Sequence, residues 1–165
     1  MLKYDVTLSS DNYFSGWSEK MIIFIVFLVT LLLDQVTKYL TIKYLALYES
    51  IPIIKDIFHL TYIQNRGTAF GILQGQSTFF IIVTLALVGL IVVFYRHLPL
   101  DDYLTRFGLG LALGGAIGNL IDRIRLGYVI DFLDFRVWPV FNIADSAIVI
   151  AVVMFSYWML IIDTN

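Results

Sequence analysis

The stretch Ser77-Thr78-Phe79-Phe80-Ile81-Ile82-Val83-Thr84-Leu85-Ala86-Leu87-Val88-Gly89-Leu90-Ile91-Val92-Val93-Phe94-Tyr95 decides what kind of protein this is. It is 19 residues long and carries no charge. A helix of roughly 20 apolar residues spans the hydrocarbon core of a bilayer, so the stretch predicts a transmembrane helix. Three more runs of similar length accompany it. One covers 21–44 and is interrupted by Asp34 and Lys38; one covers 104–123 and is rich in glycine; the last begins near Asn142 and is uncharged over 146–162.

Composition agrees. Of the 165 residues, 59% are hydrophobic and 15% charged, against about 45–50% and about 25% in a soluble domain. That length accommodates about four spans with short connections. The expected fold is mainly α and integral to the membrane, with four transmembrane helices in a single domain over 21–165. Net charge is −2 with no basic tract, which gives nucleic acid no footprint. The chain has no cysteine, so disulfides, thiolate nucleophiles and cysteine-ligated metals are excluded. His59 and His97 have no partner at metal-ligand spacing. No metal and no cofactor is expected.

Residues 1–20 are polar, with Asp5, Asp11 and Glu19 against Lys3 and Lys20. A secretory signal would need a basic start, a short apolar run and a small-residue cleavage site. None is evident, so the first apolar run is expected to remain as a span and the head to be loosely ordered. Two connections are longer than turns require. Residues 45–76 contain Phe58-His59-Leu60-Thr61-Tyr62-Ile63, whose alternation of aromatic and β-branched residues predicts a short strand. Residues 125–141 carry Phe132, Phe135, Trp138 and Phe141, the aromatic type that prefers the bilayer–water boundary. With four spans, both connections fall on one side of the membrane and the termini on the other. Lysines and arginines occur on both sides, so charge alone leaves the orientation open.

Charged groups at the edge of lipid are costly and mark function by default. Asp122, Asp131, Asp134 and Asp145 cluster around the third and fourth spans, accompanied by Asn119 and Asn142, with Asn65 in the earlier connection. Two carboxylates in contact cannot both ionise, and such a pair can deprotonate a water for attack on a peptide carbonyl and protonate the leaving amine. Each feature also has a plain structural reading. Asp145 at a helix start can be a cap; Asp122 with Arg123 can be an ion pair; Asp34 and Lys38, four apart, can pair on one helix face. Gly110, Gly114 and Gly118 recur every four residues with Gly115 alongside, the spacing of a close helix–helix seam. Spacing does not choose among the four carboxylates.

Five motifs occur in order: Asp34-Gln35-Val36-Thr37-Lys38; Asn65-Arg66-Gly67-Thr68-Ala69-Phe70-Gly71; Gly114-Gly115-Ala116-Ile117-Gly118-Asn119-Leu120-Ile121-Asp122-Arg123; Val129-Ile130-Asp131-Phe132; and Phe141-Asn142-Ile143-Ala144-Asp145-Ser146. Together they resemble the bacterial lipoprotein signal peptidase (type II signal peptidase), a four-span aspartic protease, over about 21–162. The resemblance implies a catalytic dyad of Asp131 and Asp145, with Asn65, Gly115, Asn119, Arg123 and Asn142 lining the site and Asp34, Lys38 and Asp122 in support. It also implies a substrate, a prolipoprotein cut just before a cysteine that carries diacylglycerol. The implied setting is the bacterial cytoplasmic (inner) membrane, with both termini cytoplasmic and the active site towards the outer face. Part of 45–76 would form a small extracytoplasmic β-sheet at the membrane interface, with a further helix-like segment. The lipid bilayer is the expected surrounding and a monomer the expected state. Thr68 stands where many members have a small apolar residue, and the head before Met21 is longer than usual.

A rival of another class is a small proton-coupled membrane transporter or a structural membrane assembly factor, because intramembrane carboxylates also build proton relays. A transporter should show paired discontinuous helices and internal repeats, and neither is apparent in the four runs.

Overall fold

The computed structural model describes residues 10–67 and 76–162, with side chains from residue 20 onward. Its elements are α1 (Ser10–Tyr44), β1 (Ser50–Ile54), β2 (Phe58–Asn65), α2 (Ser77–Phe94), α3 (Tyr103–Leu126), β3 (Val129–Asp134) and α4 (Ile143–Tyr157). A single 3-10 turn, Tyr95–His97, ends α2, and a π turn, Trp158–Ile162, extends α4. Four helices are long and apolar enough to cross a bilayer: Lys20–Tyr44, Ser77–His97, Tyr103–Leu126 and Ile143–Ile162. These are the four expected runs. α1 begins at Ser10, inside the polar head.

α3 is the centre of the bundle and packs against all three other helices. About 61% of its most apolar window is buried, against 17% or less for each of the others, so the partners spend most of their surface outward. α2 buries no residue at all. Outward residues such as Phe24, Leu32, Val92 and Val153 would form an untenable apolar surface in water. In lipid they cost nothing, and helices must then be held by close packing and polar contacts. The interior matches that requirement, because Asp34, Lys38, Asn119, Asp122, Asp131 and Asn142 are all buried.

The glycine spacing does what a close seam needs. A Cβ on Gly110 or Gly114 would stand 2.7 Å from the Cβ of Val26 or Thr30, and one on Gly118 would stand 2.5 Å from Asp34 Oδ2. Positions 26, 30 and 34 of α1 thus run alongside 110, 114 and 118 of α3. Gly115 opens the other way, where a Cβ would lie 2.5 Å from the Ala144 carbonyl oxygen of α4.

α3 starts at Asp102, whose carboxylate accepts from the Thr105 N–H at 2.7 Å, and stops at Gly127, which adopts the left-handed conformation at φ 78°. The chain then turns into β3. The small sheet, expected from 45–76, also takes a strand from the aromatic connection 125–141: Val129–Asp134 runs antiparallel to β2, with Ile63 opposite Asp131 and Asn65 opposite Val129. β1 lies on the other edge of β2, giving the order β1-β2-β3. Both long connections therefore join in one sheet, at the end of the bundle where α1 and α3 finish and α2 and α4 begin. Among the described residues of 45–76 and 127–141 none is helical; 68–75, which include Thr68 and Gly71, lie outside the described residues.

Candidate active site

The site is built where the α1–α3 seam meets the sheet. Beyond Asp34 and Gly118 the seam continues to Lys38 and Asp122. Lys38 Nζ lies 2.9 Å from Asp34 Oδ2, 2.9 Å from Asp122 Oδ2 and 2.9 Å from Asn119 Oδ1. The expected pairing of Asp34 with Lys38 is present. Asp122 pairs with Lys38 and, among the described residues, forms no ion pair with Arg123, because adjacent helix residues point to different sides. Asp122 Oδ2 also accepts from the Ile130 N–H at 3.1 Å, which ties β3 to α3. Asp34 Oδ1 accepts from the Ala144 N–H at 2.9 Å and so anchors the first turn of α4. Gln35, which the sequence reading left without a role, joins Asp34, Asp122 and the Gly118 carbonyl oxygen through one amide at 3.2 Å each.

Asn142 caps α4: its Oδ1 accepts from the Asp145 N–H at 2.8 Å. Capping is thus the work of Asn142, and the Asp145 carboxylate is released for other contacts. Asp145 Oδ1 accepts from Asn119 Nδ2 at 2.8 Å. Asn142 Nδ2 points at Asp131 Oδ1 at 2.7 Å, and Asn65 Nδ2 reaches Asp131 Oδ2 at 2.8 Å from β2. Asn65 is itself oriented, because its Oδ1 accepts from the Gly67 N–H at 3.0 Å. One asparagine side chain therefore joins the two aspartates, through its amide nitrogen to Asp131 and its amide oxygen to the backbone of Asp145.

The four carboxylates that spacing could not separate fall into two kinds. Asp122 is bound to Lys38, and Asp134 to Arg136 Nη1 at 2.9 Å and to the Thr61 hydroxyl at 2.7 Å. Burial pushes Asp134 upward, but Thr61 and Arg136 outweigh it and hold the group below its ordinary value. Asp131 and Asp145, by contrast, accept from neutral amides and, among the described residues, form no ion pair. Asp131 is 1% exposed. That burial, followed by the charge of Asp145, raises it to about 7 against the opposing pull of the Asn65 and Asn142 amides and of Lys38.

A cavity of about 750 Å³ opens on Asp145. Its polar wall is Asn65, Arg123, Asp145 and Ser146; the rest is apolar, including Phe80, Val149 and Ile150. Asp131 stands behind Asn65 rather than on the wall. Arg123 sits with its guanidinium 5.0 Å from the centre of the Phe80 ring, and its charge interacts with those of Asp145, Asp131 and Asp122. Phe135 stacks on Phe141 with centroids 5.9 Å apart, and Phe58 of β2 tilts against Phe135 at 4.9 Å, so aromatic residues of both connections form a wall beside the site. Of the residues expected to line the site, Asn65 and Arg123 are on the cavity wall; Asn119 and Asn142 are buried and bonded to Asp145 and Asp131, and Gly115 places α4 close to α3.

The chain as a whole has relatives among known proteins. Residues 26–161 match the family described as signal peptidase (SPase) II. The chain belongs to the signal peptidase II family. It is 50% identical over 137 residues to the lipoprotein signal peptidase of Halothermothrix orenii, covering 83% of this chain and 94% of the relative. The corresponding protein of Caldanaerobacter subterraneus subsp. tengcongensis is 49% identical over 141 residues, with 85% and 93% covered. A solved structure described as a bacterial membrane enzyme, determined by the in meso method, superposes with a TM-score of 0.77 at 32% identity, over 87% of this chain and 89% of that one. A signal peptidase II is a peptidase, and with four apolar helices this one is a multi-pass protein of the bacterial cytoplasmic membrane.

Proposed function

We propose that this signal peptidase is an aspartic endopeptidase that cuts diacylglyceryl-modified prolipoproteins just before the lipidated cysteine, with Asp131 and Asp145 as its catalytic pair. The observation that carries the reading is the division of the four carboxylates: two are neutralised by cations, while Asp131 and Asp145 are held by amides and bridged by Asn142. A pair holding one proton can run the whole cycle. The ionised carboxylate takes a proton from water as its oxygen attacks the scissile carbonyl; the protonated partner supplies hydrogen to the developing tetrahedral centre. When the C–N bond breaks, the amine leaves with a proton and the pair returns to its single-proton state. Arg123, which lines the cavity with Asp145 and interacts electrostatically with both aspartates, is placed to stabilise negative charge on the tetrahedral oxygen.

The cavity chemistry supports a lipid-bearing substrate. Its apolar wall, continuous with lipid-facing residues of α4, suits acyl chains, while Asn65 and Arg123 suit a peptide backbone. The sheet end of the bundle is taken as the outer face, with both termini cytoplasmic and the enzyme a monomer. The deciding experiment offers purified protein a diacylglyceryl-modified precursor and, separately, the same precursor without lipid. Cleavage of the lipidated form alone is expected. Equal cleavage of both removes the lipid specificity, and ion flux through reconstituted protein without cleavage favours the transporter.

The pH dependence follows from Asp131. A raised value means that the pair keeps its proton below about pH 7 and loses it above. Both carboxylates are then ionised and no acid remains. The rate constant kcat should therefore fall as pH rises through about 7, tending to roughly tenfold per pH unit. A flat profile from pH 6 to 9 would refute a shared proton at the site.

A further inference from the structure

We infer that Lys38 is a positioning residue for this reaction, aiming a hydrogen-bond donor at Asp145 through the Asn119 amide. The inference rests on the reading of Asp131 and Asp145 as the catalytic pair. Lys38 is 1% exposed and touches neither of those aspartates in a hydrogen bond or ion pair among the described residues. Its ammonium has three protons and three partners: Asp34, Asp122 and, at 2.9 Å, Asn119 Oδ1. Two carboxylates would be enough to compensate its charge. The third proton goes to a neutral amide, and that contact carries the consequence.

An asparagine amide presents an oxygen on one side and an NH2 on the other, and a half-turn exchanges them. An ammonium only donates, so only the oxygen of Asn119 can face Lys38. Asn142 Nδ2 donates to the same oxygen at 3.2 Å, so a turned amide would meet two donors with its own NH2. The orientation is therefore locked, and Asn119 Nδ2 must face Asp145 Oδ1, at 2.8 Å. A charge on α1 thus sets a donor on α3 against a carboxylate on α4. Without Lys38, the oxygen keeps only the 3.2 Å bond from Asn142, so the amide is held less firmly with its NH2 aimed at Asp145.

The test uses the full-length enzyme in lipid nanodiscs and a synthetic precursor peptide bearing a diacylglyceryl cysteine. Lys38→Met is made together with Asp122→Asn, so that the net charge of the cluster is unchanged. This variant and Asn119→Leu should each lower kcat by about 10–100-fold, the usual consequence of disturbing a group behind a catalytic one, with KM within about twofold. The triple variant should be no slower than the slower of the two, because both act along one chain of contacts. A triple variant slowed by the product of the two losses, or a loss confined to KM, overturns the inference. Lys38→Arg keeps the charge between Asp34 and Asp122 but replaces a point donor by a planar fork. It should lose at least about tenfold in kcat at an unchanged thermal midpoint. Full activity in Lys38→Arg means that charge compensation is all Lys38 supplies, and overturns the inference even where the neutral variant does not insert. A wild type that leaves the peptide uncut, or an Asp145→Asn variant that cuts it, defeats the catalytic reading instead.

Discussion

Asp131→Asn and Asp145→Asn should each insert and fold, yet cleave the lipidated precursor at least about 10⁴-fold more slowly than the wild type. The loss is expected to be this large because each substitution removes a group that must both hold and release a proton, and an amide does neither. The double variant should be no slower than either single one, since the residues act as a unit. The two single variants should nevertheless differ in stability. Asp131 accepts at both oxygens, from Asn142 and from Asn65. An asparagine there offers only one acceptor, so its NH2 must face a donor whose own orientation is fixed by Asn142's cap or by Gly67. A buried donor left unpaired costs about 1–3 kcal/mol. Asp145 accepts from a side chain at Oδ1 alone among the described contacts, so asparagine can keep its oxygen towards Asn119. Thermal unfolding should therefore place Asp131→Asn below Asp145→Asn, while precursor cleavage is lost in both. Normal processing by either variant would remove that residue from the catalytic pair.

The difference between what the residues disclosed and what they did not lies in contact range. The four spans were legible because a bilayer imposes length and apolarity on every residue of a span, as in 77–95. The glycine seam was legible because Gly110, Gly114 and Gly118 recur every four residues along α3. The partner of Asp122 was not, because Lys38 lies 84 positions away in sequence and only the parallel run of α1 and α3 brings it alongside. β3 was hidden for a different reason. Val129, Ile130, Asp131 and Phe132 are all buried, so both faces of the strand are covered and no polar alternation appears. Asp145 looked like a cap because the first turn of a helix attracts carboxylates; only the bond from its N–H to Asn142 shows which residue caps. The selection of Asp131 and Asp145 over Asp122 and Asp134 came from the resemblance. The structure adds a physical distinction that spacing lacks, namely which carboxylates already have a cation.

Asp34→Ala should be the most destabilising single substitution of the site, by about 3–5 kcal/mol, the scale of breaking a buried ion pair by removing one partner. Asp34 is 0% exposed and serves three elements at once. It accepts from Lys38 at 2.9 Å within α1, from the Ala144 N–H at 2.9 Å in α4, and its carboxylate fills the space that Gly118 leaves open on α3. Alanine leaves Lys38 with one carboxylate, the first turn of α4 with an unpaired N–H, and a void against a backbone that cannot collapse around the absent side chain. Asp34→Asn keeps an acceptor for Ala144 and fills the space, so it should cost about 1–2 kcal/mol less than alanine. Unfolding of both variants in mixed micelles gives the comparison directly. An Asp34→Ala loss below about 1 kcal/mol, the scale of an exposed ion pair, would show that the three contacts are not energetically coupled to the fold. The same displacement should appear in catalysis, because Asp145 lies one residue beyond Ala144. With the first turn of α4 released, kcat should fall in Asp34→Ala even at temperatures where the protein remains fully folded. A protein that keeps its kcat there would place the anchoring of α4 elsewhere, in Asn142's cap and in the close approach at Gly115.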